Sequence, residues 1–204
     1  MTRMDERSKA TIREDERLAD TEMVLKVRDG DVTAFRGLVE KYQGRVYSMV
    51  YGMLRNREDA RDVTQDAFVR AFHNLDSFRL ESSFYTWLYR IAMNLAIDVT
   101  RKRKRRKTSA FEESIAARDE DGSIAEVHHQ DGPQRLHQRK RLYGRIMDAI
   151  ETLPEDQRQA ILLRELDGLS YKEISEIMGI PEGTVMSRLF YARKKLQKLL
   201  EDLR

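Results

Sequence analysis

Between Ser170 and Glu182 the chain has few structural options. Ser170-Tyr171-Lys172-Glu173 sets a hydroxyl and a carboxylate three residues apart, the pair that closes a capping box at a helix start. Ile174, Ile177 and Met178 follow at helical spacing, giving an apolar face. Gly179-Ile180-Pro181 then stops the helix, because glycine takes the left-handed cap and proline cannot continue the ladder. A last helix begins near Glu182. Upstream, Pro154 precedes Glu155 and Asp156. Proline does no harm where an N–H would go unpaired, and the acids suit the positive end of a helix. Gly168 ends that segment. Two helices joined by a three-residue turn containing glycine make a helix-turn-helix.

On the last helix, at 100° per residue, Val185, Leu189, Ala192, Leu196 and Leu199 fall within an arc of about 80°. That stripe is core. The opposite face carries Gly183, Ser187, Phe190 and Lys194, flanked by Met186 and Tyr191, with Arg193 and Lys195 between the two faces. Small, polar, aromatic and basic side chains on a helix set upon a short supporting helix fit the major groove of DNA. The plainer alternative is a helical bundle with a solvated basic face. A helix-turn-helix does not by itself name a task.

The rest of the chain is helical in pattern. Phe35, Leu38, Val39, Tyr42, Val46, Met49, Val50 and Met53 share one face within a helical stretch from Thr21 to Leu54. Asn56 is the N-cap of the next helix, with Glu58 and Asp59 in its first turn and Ala60, Val63, Ala67, Ala71 and Leu75 on one side. Phe78 to Ser82 reads as a loop. A third long helix begins near Ser83 and buries Trp87, Leu88, Ile91, Leu95 and Val99. No alternating strand pattern is present, and with three prolines and ten glycines in 204 residues long regular segments are expected. The fold class is all-α: two small helical domains joined by a flexible linker. The expected boundaries are a disordered tail over 1–20, a first domain over 21–107, an acidic linker over 108–139 and a second domain over 140–204.

The net charge of +3 hides segregation. Arg101 to Lys107 are seven consecutive basic residues. Thr108 to Gln138 hold two basic residues against seven acidic ones, and Glu182 to Leu200 five basic against one acidic. Such blocks point to a polyanionic partner at two places with an acidic spacer between them. The first basic run closes a stretch that opens with Ser83, Phe84, Tyr85, Trp87 and Tyr89. Unstacked DNA bases need aromatic pockets, and the strand that carries them needs positive charge along its backbone. Trp87 shares the face of Ile91 and Leu95, which favours a core position for it.

Two motif sets carry a family resemblance. Glu151 to Glu155 with LRELDGLSYKEISEIMGIPEGTVMSRLFYARKKL, Leu163 to Leu196, resemble domain four of bacterial sigma factors of the extracytoplasmic-function group. DVTQDAFVRAFHNLDSFR, Asp62 to Arg79, and SFYTWLYRIAMN, Ser83 to Asn94, resemble domain two of the same group, of the sigma-E type. The match covers about residues 20 to 105 and 140 to 200. The resemblance implies a factor that binds core RNA polymerase through the β′ clamp and the β flap and directs it to promoter DNA. Its domain four would read the −35 element, expected here through Met186, Ser187, Arg188, Phe190, Tyr191, Lys194 and Lys195. Its domain two would capture the −10 element, with Phe78, Arg79, Ser83, Phe84, Tyr85 and Trp87 around a flipped base and Asn94 reading it. Arg101, Lys102 and Arg103 would meet phosphates. The clamp would meet Asp62, Gln65, Asp66 and Arg70. The resemblance also implies an anti-sigma factor, which many relatives meet at the membrane. Relatives often carry arginine or lysine at the position of Met186 and arginine at that of Tyr191. Arginine can hold guanine with two hydrogen bonds and methionine cannot, so a different −35 preference is expected.

Other classes fit less well. The chain has no cysteine, which removes disulfides and thiolate chemistry. It has no Gly-rich phosphate loop, and no enzyme activity or cofactor is expected. His128, His129 and His137 lie close together, but in an acidic segment that spacing is a weak metal signal, and no metal site is expected. The first twenty residues mix both charge signs without an apolar run, unlike a signal peptide. Val46 to Leu54, uncharged, is far shorter than the ~20 residues needed to cross a bilayer. A cytoplasmic protein without membrane insertion is expected. A stand-alone duplex-binding regulator and a helical adaptor for acidic partners remain alternatives. The aromatic-basic segment in a separate N-terminal domain favours the initiation factor over both.

Overall fold

Asn56 divides two helices that could otherwise run together. It takes an extended conformation (φ −141°, ψ 127°), and its side chain accepts from the Asp59 N–H at 2.9 Å. Arg55 before it is left-handed at φ 51°. The chain therefore turns sharply between helix α2, Thr33–Leu54, and helix α3, Arg57–His73. The computed structural model describes residues 2–109 and 133–201, with side chains over 14–106 and 141–201. Eight α-helices lie among the described residues. Helix α1 spans Thr2–Arg28 and α4 Phe84–Ser109, completing the first group. The second group is α5 Pro133–Glu151, α6 Glu155–Glu165, α7 Tyr171–Met178 and α8 Glu182–Leu199.

In the first group α3 offers Ala60, Ala67 and Ala71 inward, all fully buried. Small side chains let α3 lie close against α2 and α4. Leu38, Val46, Met49 and Val50 of α2 meet Leu88, Ala92 and Ala96 of α4 in the same core. Phe84 anchors the top of α4 in an aromatic cluster: Phe35, Phe78 and Trp87 stand at 6.5, 6.1 and 5.9 Å between ring centres.

Two expectations need correction at the N-terminus. The helical stretch from Thr21 to Leu54 is broken at 29–32, where Gly30 adopts φ 101°. That conformation costs a side-chain-bearing residue far more than glycine. A disordered tail is expected over 1–20, but its described residues, 2–20, belong to α1. Asp20 there is 2% exposed, accepts from Lys41 Nζ at 2.6 Å and also accepts from the Tyr42 hydroxyl. A buried carboxylate with a cation and a hydroxyl to hold it ties α1 to α2. Most of the expected linker, 110–132, and the histidine pair His128 and His129 lie outside the described residues. At its far edge the expected linker overlaps α5, which starts at Pro133.

The punctuation of the second group matches its sequence. Pro154 is the residue before α6. Ser170 Oγ accepts from the Glu173 N–H while the Glu173 carboxylate accepts from the Ser170 N–H, the complete capping box. Gly179 caps α7 at φ 65°. Gly168, also left-handed at φ 66°, lies three residues beyond the last residue of α6.

The two groups pack on each other through one continuous apolar core. Gly52 of α2 lies close against the second group. A methyl on it would stand 3.0 and 3.2 Å from the two Leu162 methyl groups of α6 and 3.5 Å from Met147 of α5. Helix α7 lies on α4. Tyr89, fully buried, donates to Asp167 Oδ1 at 2.8 Å across the junction. Arg55 and Asp148 pair at 2.9 Å on its rim.

The Asp167 carboxylate faces Tyr85 and Tyr89 of α4 and Arg45 of α2, beside a cleft of about 70 Å³ that Glu16, Arg17 and Asp20 of α1 and Glu173 of α7 also line. Burial pushes its carboxyl up to about 6, against the opposing pull of the Tyr89 hydroxyl and Arg45. The folded protein therefore holds a proton on Asp167 that the unfolded chain has released, over the window from about 4 to about 6. Within that window this group's contribution falls as pH rises, by about 3 kcal/mol at most. The Asp167→Asn variant should gain melting temperature relative to the native chain between pH 4.5 and pH 6.5, with a constant difference above that. Replacing Ser170 by Ala should lower stability by about 1 kcal/mol in urea unfolding.

Candidate nucleic-acid interface

Helix α8 stands on α7 through Val185, Leu189 and Ala192, which are buried. The turn between them is held by Ser175 Oγ, which donates to the Ile180 carbonyl at 2.5 Å, and by the Ile180 N–H, which donates to the Ser175 carbonyl at 3.2 Å. With the core stripe inward, Met186, Phe190 and Tyr191 point out and are 50%, 61% and 58% exposed. Large apolar side chains this open are unusual on a surface with no partner. Lys194 and Ser187 are exposed beside them. Ser187 donates to the Thr184 carbonyl at 2.9 Å, which orients its hydroxyl.

Two residues expected at this face are otherwise engaged. Arg188 pairs with Asp156 at 3.2 Å, tying α8 to the first turn of α6. Lys195 donates to the Thr152 carbonyl at 2.6 Å. Both sit on the flank of α8 nearer the core stripe: Arg188 neutralises an acid of α6, and Lys195 satisfies a carbonyl of the segment between α5 and α6. Arg193 behaves alike, donating to Glu165 at 2.8 Å.

Helix α4 is buried on several faces, so only a narrow stripe of it reaches solvent. Arg90, Asn94, Asp98, Arg101 and Arg105 recur at spacings of three and four, all exposed. They form one outward row on the helix. Lys102 and Arg106 widen its basic end. Arg103, expected at phosphates, points back instead. It donates to the Leu54 carbonyl at 3.1 Å and pairs with Asp59. It thereby satisfies the end of α2 and holds α3 to α4.

The aromatic pocket is also corrected. Phe78, Phe84 and Tyr85 are buried, at 4%, 2% and 7% exposed. Phe84 and Tyr85 are the first residues of α4, turned into the core beside Phe78, and none of the three is a free face for a base. Trp87 is partly buried and stacks on Phe78 at 5.0 Å between ring centres. Arg79 is exposed and Ser83 half-buried at the loop that precedes α4. Ser83 Oγ accepts from the Thr86 N–H at 3.0 Å, capping the helix.

Sequence reading missed what fixes that loop. Arg28, at the end of α1, donates to the Leu75 carbonyl at 2.6 Å and also to the Phe78 carbonyl. Leu80 within the loop is left-handed at φ 61°. An arginine 47 residues upstream carries no signal in the linear chain, since only the packing of α1 brings it there.

On the outer face of α3, Asp62, Gln65, Asp66 and Arg70 are all exposed. Beside them runs a groove of about 820 Å³ between α2 and α3. Its floor includes Phe35 and Phe68, and Val69 and Phe72 stand half-open on its rim. No group of acidic or histidine side chains placed to hold a metal occurs among the described residues. No helix among them is long and apolar enough to cross a membrane.

Comparison with known proteins agrees with this geometry. Residues 38–106 match the family model for Sigma-70 region 2, and residues 143–196 that for Sigma-70 region 4. The chain is 43% identical over 190 residues to the ECF RNA polymerase sigma-E factor of Escherichia coli K12, covering 92% of this chain and 97% of that one. It is 40% identical to the protein of the same name from Haemophilus influenzae, covering 92% and 98%. Among solved structures, the sigma factor RpoE in complex with the anti-sigma factor NepR from Bartonella quintana superposes with a TM-score of 0.66 at 27% identity, covering 85% of this chain and all of that one. CnrH in complex with the cytosolic domain of CnrY gives 0.65 at 25% identity, covering 90% and 98%. With both regions matched in order and the likeness running nearly end to end, the chain belongs to the ECF family of RNA polymerase sigma factors.

Proposed function

We propose that this protein directs core RNA polymerase to promoters by reading two DNA elements with two separate helices. The observation that carries the reading is the pair of outward faces on one chain: the exposed Met186, Phe190, Tyr191 and Lys194 of α8, and the Asn94 row of α4 that runs into Arg101 and Lys102. A helix set on a short supporting helix docks in the major groove of duplex DNA. An exposed amide followed by exposed cations suits an unpaired base and the phosphates that follow it.

In this reading α8 lies in the −35 groove. Met186, Ser187, Phe190 and Tyr191 face base edges, and Lys194 meets the backbone. Asn94 reads a flipped base of the −10 element, with Arg79, Ser83 and the open edge of Trp87 beside it. Arg101 and Lys102 hold the strand without regard to sequence. The polymerase clamp takes the α3 face of Asp62, Gln65, Asp66 and Arg70, and the apolar groove beside it receives clamp side chains. The β flap takes the second group of helices. The reaction site belongs to the polymerase, so this chain works in the cytoplasm where that enzyme is found. Relatives resolved with NepR and with CnrY support an anti-sigma partner for this chain too.

Transcription with sigma-free core polymerase and genomic DNA, read by sequencing the transcript starts, tests the proposal. Starts should share two short motifs at fixed spacing, and the Asn94→Ala chain should lose about tenfold or more of the product. Tight operator binding without polymerase, and no transcripts, would replace this reading with a stand-alone regulator. In binding titrations of the holoenzyme, Lys194→Ala should weaken all promoters alike and reduce the salt slope by about 1. Met186→Arg should shift the −35 preference toward guanine.

A further inference from the structure

The outward face of α8 is short of groups that hydrogen-bond a base edge. Arginine and lysine grip guanine O6 and N7, and asparagine and glutamine grip adenine. The N-terminal part of a recognition helix is the part that reaches the bases. From Glu182 to Ala192 the one residue of those four types is Arg188, and it turns back onto Asp156. The second arginine of α8, Arg193, is turned onto Glu165, and Lys195 onto the Thr152 carbonyl. The Ser187 hydroxyl gives its proton to the Thr184 carbonyl. Glu182, exposed at the helix start, can only accept, as from a cytosine amine.

What the same stretch does present is apolar. Met186 and Phe190 are four residues apart, on one row of the helix, and both are exposed. They line an open groove of about 680 Å³ beside Tyr171 of α7. Phe190 and Tyr191 steady each other edge to face, with ring centres 5.4 Å apart. A methyl on Gly183 would meet nothing within 4 Å, so the backbone ahead of Met186 is open to close approach. Lys194 follows Phe190 by one turn on the same groove, where a phosphate would balance it. From Glu182 to Leu200 five basic residues stand against one acid, which favours a polyanion over a protein as the occupant of this face. Among the edges of the four base pairs in the major groove, the apolar feature is the 5-methyl group of thymine.

We propose that α8 reads the −35 element through thymine methyl groups, with Met186 and Phe190 as the side chains that cover them. This rests on the proposed docking of α8 in the −35 groove and names what it recognises there. The flexible thioether of Met186 adapts to the position of a methyl, and the Phe190 ring offers a flat apolar surface. Covering one methyl takes it out of water, which strengthens binding about fourfold. The element selected by this chain therefore carries A·T pairs opposite these two residues, with thymine on the strand that faces them.

Uracil in place of thymine removes this methyl and leaves the base pairing and the polar edges as they were. The probe is a duplex promoter taken from the sequenced transcript starts, with the thymines of its upstream motif present either as thymine or as uracil. It is titrated with holoenzyme assembled from the full-length chain. The uracil promoter should bind about four- to tenfold more weakly. Both side chains are exposed, so Met186→Ala and Phe190→Ala leave the core untouched. In either variant the gap between thymine and uracil should shrink to about twofold, while Met186→Leu should keep it. Equal binding of the two promoters by the native holoenzyme, or an upstream motif without thymine, would overturn methyl reading and leave the docking of α8 in place. A full gap in both alanine variants would overturn the assignment to Met186 and Phe190. Alanine variants that bind both promoters as the native holoenzyme does, yet transcribe poorly, would give the face to a protein partner instead. If scrambling the upstream motif costs the native holoenzyme nothing, the −35 reading itself falls, and this proposal with it.

Discussion

Helix α4 is walled by α2 and α3 on one side and by α7 on another, and that enclosure decides what the rest of the molecule can do. A helix covered on several faces must be apolar around most of its girth. Tyr85, Leu88, Tyr89, Ala92, Met93 and Ala96 are accordingly buried. What is left is one row, from Arg90 through Asn94 to Arg105. Because α4 packs on its neighbours along its length, the row forms one line on the side left open. The same neighbours dispose of Arg103, which is spent on closing the end of α2 and holding α3.

The second group reaches its outward face by the opposite route. Helix α7 has only eight residues and could not hold its shape alone. The reciprocal hydrogen bonds of Ser170 and Glu173 start it, and Gly179 stops it. That fixes the angle at which α8 leaves. Arg188 and Lys195 then pin α8 to the helices beneath it, leaving Met186, Phe190, Tyr191 and Lys194 free to face a groove. The basic residues near the core stripe serve the fold, and those farther round serve the surface.

Much of this was legible in the linear chain where the controlling contacts are local. The N-cap at Asn56, the capping box at Ser170 and the stop at Gly179 each involve residues within four positions of one another, and the stripe of α8 repeats at steps of three and four. The two caps and the stop appear in the structure as expected, while the α8 stripe is buried at Val185, Leu189 and Ala192, partly buried at Leu196 and exposed at Leu199, where the helix runs past its neighbours. The break at Gly30 was less visible, because apolar spacing continues on both sides of it. The ordering of α1 was not visible at all. Asp20 looks like one more charge in a polar segment until Lys41 and Tyr42, 21 and 22 residues away, close around it.

The sequence by itself determined the helices beyond α1, their order, the caps at Asn56, Ser170 and Gly179, and the motifs that place the chain in its family. These follow from backbone hydrogen bonding and side-chain periodicity over a few residues. Tertiary structure alone decided which members of a promising cluster face outward. By spacing, Trp87 is the most core-like of Phe84, Tyr85 and Trp87, yet the packed helices turn the first two inward and leave Trp87 half-open. It also decided that Gly52 and Asp167 matter. Their importance arises only where two distant segments come within contact distance, and no local pattern encodes that meeting.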